Sequence, residues 1–143
     1  MLPRMRWWKL PFTGEPYRGT LFLLLAVPLA LWSLADRGVA QRRAATVLLA
    51  AAPAPSRVRG LAAVPVDLVT LVVAGYCWTA VLLNVLYPIR PLLGMDGAYR
   101  DAWGGPTLAG AWAVHALGGL GFWLLVPWVL RGYVALWRRI TGG

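Results

Sequence analysis

The sequence predicts an all-α integral membrane protein with about three membrane helices and a surface helix. Apolar residues make up 59% of the 143 and charged residues only 13%, whereas soluble domains carry about 25% charged residues. Residues 68–88 and 107–130 hold no formal charge, and each run reaches the roughly 20 residues needed to cross about 30 Å of hydrocarbon. The formal net charge of +9 sits between the apolar runs. That distribution fits contact with anionic lipid and argues against nucleic acid as a partner.

Taken in order, residues 1–18 have the basic start and apolar stretch of a signal sequence. No small-x-small cleavage site follows, and Asp36-Arg37 reads instead as a stop, so the segment is expected to be retained. Trp7, Trp8, Phe12 and Tyr17 alternate with Arg4, Arg6 and Lys9, a mixture suited to the headgroup layer. Residues 19–35 form a short membrane run interrupted by Pro28, at the lower limit for a crossing and expected to kink or re-enter. Residues 36–60 are predicted as a cytoplasmic basic helix and linker. Arg37, Arg42 and Arg43 precede an apolar stretch, 44–52, that is too short to span and is expected to lie on the membrane surface, burying Val47, Leu48 and Leu49. Residues 53–60 then serve as the linker.

A membrane helix is predicted over 65–88, opened by Pro65 and Asp67 because proline fits the first turn and a carboxylate there complements the helix dipole. Residues 89–106 form a connection in which Arg90 and Arg100 balance Asp96 and Asp101. The next membrane helix, 107–131, starts after Pro106 and closes at Arg131, and 132–143 form a basic tail with Arg138 and Arg139. Five arginines in 36–60 and three in 131–143 flank this neutral connection. The positive-inside rule therefore places 89–106 outside and both flanks, with the C-terminus, in the cytoplasm of a multi-pass cell-membrane protein. If 19–35 crosses fully, a basic flank must lie outside, so either the N-terminus is translocated or the first run is re-entrant.

Few residues offer chemistry. Cys77 is the sole cysteine; with no second thiol and no His/Cys cluster, neither an internal disulfide nor a metal site is expected, and within its apolar run it reads as a small buried hydrophobe. No Ser/His/Asp set or paired carboxylates point to catalysis, and no cofactor is expected. The candidate intramembrane polar contacts are Asp67, Asn84 and His115. Asp67 reads as a helix-start carboxylate, with pairing to an arginine as the alternative. Asn84 is expected to bond across helices. His115 reads as a neutral imidazole bonded to a neighbouring helix, with proton sensing or a ligand contact as the functional alternative. Ala111, Gly118, Gly119 and Gly121 form a narrow face for close helix packing. The Gly118-Gly119-Leu120-Gly121 run follows no strand and precedes no lysine, so it is no phosphate loop. Trp103, Trp128 and Trp137 fall near predicted interfaces and are expected to anchor there.

Several short segments resemble the sensor domain at the membrane end of many actinobacterial two-component histidine kinases. They are Pro11-Phe12-Thr13 with Tyr17-Arg18, Leu21 to Leu25 with Pro28-Leu29, Ala35-Asp36-Arg37-Gly38-Val39-Ala40 with Arg42-Arg43, Cys77-Trp78 through Leu86-Tyr87-Pro88, and Leu125-Val126-Pro127-Trp128 through Arg131-Gly132. The resemblance implies an all-helical module that senses an envelope or lipid state. It also departs from the family pattern of two helical hairpins: Leu34 passes almost directly into Asp36-Arg37-Gly38, as though the first loop and much of the second helix were missing. Four residues follow Arg139, too few for a phospho-acceptor helix or an ATP-binding domain, so no enzymatic activity is expected. The partners implied are the lipid bilayer and either a histidine kinase or a second copy of the chain. The alternatives are a membrane anchor or accessory subunit, and a shortened remnant of a sensor kinase.

Overall fold

A computed structural model describes residues 7–50, 57–95 and 99–142. The described residues are helical with no strand, and three helices are long and apolar enough to cross a membrane. Residues 1–6 of the aromatic-basic segment, 51–56 of the linker and 96–98 of the connection lie outside the described residues.

After a 3-10 segment, Trp7–Phe12, helix α1 runs over Glu15–Asp36. Glu15 and Pro16 open it, four residues before the apolar run begins, and it continues through Pro28 to 22 residues. At 1.5 Å per residue that is about 33 Å, so the run expected at 19–35, at the lower limit for a crossing, is part of a helix of spanning length. Proline removes one backbone donor, a loss that membrane helices tolerate when neighbouring groups compensate.

Asp36 makes the break that follows. Arg37 and Gly38 both adopt left-handed backbone, φ 57° and 81°, and the Asp36 carboxylate accepts from the Gly38 N–H at 2.8 Å and the Ala40 N–H at 2.7 Å. One side chain thus bonds the Gly38 donor in the turn after α1 and the Ala40 donor in the first turn of α2, Val39–Leu49. The buried face of α2 is Gln41, Ala45 and Leu49, spaced by four, and it packs on α1. Leu49 belongs to that packed face, whereas Val47 is 72% exposed and turned away from the protein interior.

Helix α3, Arg57–Ala62, occupies the part of the expected linker that is described. Gly60 packs against the Gln41 carboxamide, which would have to shift to admit a β-carbon there. Helix α4 covers Val64–Val85, with Pro65 and Asp67 in its first turn as the sequence implies. It ends three residues before Pro88, and a 3-10 segment, Tyr87–Leu93, replaces the start of the connection. Helix α5 spans Leu108–Thr141, 34 residues, so the expected basic tail is helical nearly to its end.

The chain divides into two compact units, residues 1–74 with 126–143, and residues 75–125. In the first, Phe22 of α1 meets Trp137 of α5 edge to face at 5.2 Å and lies 6.5 Å from Tyr133. Trp137, expected at an interface, is 1% exposed and belongs to this core. In the second, Tyr76 of α4 packs edge to face on Phe122 of α5 at 5.8 Å, and the Trp112 indole donates to the Val85 carbonyl at 3.2 Å. Trp103 and Trp128 stay exposed. A third or less of each spanning window is buried within the protein. The outward faces therefore carry side chains such as Leu24, Trp32, Val69, Val72, Leu117 and Leu120, the reverse of a water-soluble bundle and the pattern lipid requires.

Candidate functional site

The three polar candidates fall in different surroundings. Asp67, in the first unit, is fully buried, and its Oδ1 accepts from the Tyr133 hydroxyl at 2.8 Å while Oδ2 has no partner. Its partner is thus a tyrosine rather than an arginine. The contact ties the start of α4 to α5, in a core that also holds the unpartnered Nε1 of Trp137.

Asn84 and His115 come together in the second unit. Neither makes the interhelical hydrogen bond expected of it. Asn84 Nδ2 donates to the Ala80 carbonyl at 2.7 Å, and His115 Nδ1 bonds the Ala111 carbonyl at 2.8 Å, each one turn back on its own helix. The reason is geometric, because a carbonyl four residues earlier lies within reach of a short polar side chain. What crosses between the helices is packing. The His115 ring stacks on Tyr87 with centroids 4.0 Å apart and planes at 29°, and the Arg90 guanidinium lies 4.4 Å from the Tyr87 centroid. A carbonyl only accepts, so Nδ1 carries the hydrogen of that bond, and Nε2 is the ring nitrogen it leaves unengaged. Asn84 Oδ1 is likewise left free of its own-helix bond.

Two hollows share Asn84 and His115 as wall residues. One, of about 320 Å³, also has Tyr76, Thr79, Arg90 and Phe122 in its lining. The other adds Trp103, Val114 and Gly118. An amide, an imidazole, a guanidinium and aromatic rings around one space suit a small molecule that carries both hydrogen-bonding groups and an apolar body.

The small-residue face is divided. Ala111 is fully buried, and a β-carbon at Gly119 would lie 3.1 Å from Asn84 Cβ and 3.5 Å from the Val81 carbonyl, so α4 and α5 approach closely there. A β-carbon at Gly118 would lie 3.8 Å from Asn84 Oδ1, an ordinary contact, whereas one at Gly121 would meet open space. Cys77 is buried, as its sequence context implies.

Charged contacts of the first unit are the ones sequence reasoning missed. Arg131 makes a bidentate pair with Glu15, at 2.8 and 2.9 Å, and Arg138 Nη2 donates to the Leu49 carbonyl at 2.8 Å. The available signal was Glu15 itself, the only glutamate among thirteen arginines. Among the described residues no group of three or more His, Cys, Asp or Glu side chains is placed to hold a metal ion.

Fold and contacts together define a small helical membrane protein whose apolar helices carry a few buried polar contacts. Comparison with family models, curated proteins and solved structures gives no match to the chain.

Proposed function

We propose that the chain is a membrane-embedded signal-input module, similar to the sensor domain of actinobacterial two-component kinases and without catalytic chemistry of its own. It receives an envelope state and passes it by helix movement to a partner, a histidine kinase or a second copy. The observation that carries this reading is the shared wall of Asn84 and His115, polar side chains in apolar helices beside a hollow of about 320 Å³. Polar groups at membrane depth are costly and tend to be kept for function. The close approach of Gly119 to Asn84 gives a ligand at that wall a direct mechanical hold on α5. Arginine-rich segments on either side of the 89–106 connection support a cell-membrane location with the C-terminus in the cytoplasm.

The test is complementation. A deletion strain under envelope stress should lose part of its transcriptional response, the unaltered gene should restore it, and N84A/H115A should not, although immunoblots show equal amounts in the membrane. Full restoration by N84A/H115A sinks the reading. A response that follows protein abundance alone assigns the chain as an anchor or accessory subunit.

A further inference from the structure

A hollow of about 480 Å³ lies wholly within the first unit, where the start of α1, the end of α2 and the last part of α5 meet. Its floor is apolar, with Leu10, Leu48, Leu130 and Val134. Its charged lining is Glu15, Arg18, Arg131 and Arg138. Glu15 is already engaged by Arg131 in the bidentate pair, and among the described residues no other carboxylate lines the space. Arg18 and Arg138 therefore leave two positive charges uncompensated. Arg138 is only partly engaged as well: Nη2 reaches the Leu49 carbonyl, and Nε, shielded from solvent, has no acceptor.

We propose that this hollow holds one anionic phospholipid, its phosphate against Arg18 and Arg138 and an acyl chain over the leucine and valine floor. Charge complementarity selects the headgroup, since a guanidinium fork matches phosphate oxygens. The apolar floor selects a lipid over a free anion, which would leave that surface bare. Exposed aromatic residues of the same unit, Trp8, Phe12 and Tyr17, are the residue types that settle at the headgroup layer, and basic pockets between membrane helices are a known setting for anionic headgroups. The assignment is independent of the signalling role.

The purified full chain in mixed micelles, titrated with phosphatidylglycerol or phosphatidylcholine and read by native mass spectrometry, should retain one phosphatidylglycerol with about tenfold preference. R18Q/R138Q should bring the preference below about twofold, while R43Q/R139Q, which removes the same charge from exposed arginines outside the hollow, should leave it unchanged. R18Q alone alters an exposed side chain and keeps the fold, so it must lose at least about half of the preference. V134F, which fills the hollow without changing charge, should also release the lipid. Glycerol phosphate should not displace it. Equal loss in R43Q/R139Q, displacement by glycerol phosphate, or no preference in the unaltered chain overturns the assignment.

Discussion

At the scale of single residues, the pair Asp67–Tyr133 decides most. A fully buried carboxylate with one bonded and one unpartnered oxygen leaves no reserve if the remaining bond is removed. Y133F should therefore cost about 1–3 kcal/mol, the penalty of a stranded buried polar group, measured as a shift in reversible unfolding in mixed micelles. Replacing both partners in D67L/Y133F removes the polar demand and should lie closer to the unaltered protein than Y133F alone. A Y133F protein as stable as its parent would show that the hydroxyl contributes nothing. The position of Asp67 is legible in the sequence, because Pro65 and an acid two residues later mark a helix start. Its partner is not, because Tyr133 lies 66 residues away and nothing local identifies it.

Among elements, the approach of α4 to α5 through Gly119 can be separated from mere glycine content. G119L must push against Asn84 and the Val81 carbonyl and should destabilise by about 1–3 kcal/mol. G121L meets open space and should stay within about 0.5 kcal/mol, read by the same unfolding assay. Equal effects at both positions would mean that helix propensity, not packing, governs the face. Sequence patterning finds every long helix here yet misplaces ends. Arg131 reads as the end of a membrane helix because an isolated charge in an apolar run is costly, but Glu15 neutralises it and α5 continues. Pro28 reads as an interruption, yet α1 passes through it. The apolar run 44–52 marks a short helix near α2, while the face α2 buries follows the four-residue period and includes Gln41, a residue that hydrophobicity alone would not select.

For the whole molecule, spanning length and lipid-like outer faces make integral association the first expectation. Alkaline carbonate should leave the protein in the membrane pellet, and release to the supernatant would remove the membrane assignment. Sidedness follows from the arginine distribution. With Cys77 replaced by Ser, single cysteines at Met95 and Arg139, both exposed positions, can be probed in intact cells with an impermeant thiol reagent. Only Met95→Cys should label, and labelling of Arg139→Cys without it would invert the topology.

Those outer faces also bear on how the chain is made. Leu24, Trp32, Val72, Leu117 and their neighbours are exposed even when every helix has formed and packed, so completing the fold does not hide them. A cytosolic chaperone could delay their self-association but could not hand over a molecule that stays dispersed in water, because the native state itself is adhesive there. Delivery to the bilayer has to accompany translation, and the yield of usable protein is set by insertion capacity rather than by folding rate. Raising expression beyond that capacity should increase insoluble aggregate and leave the membrane-bound amount constant.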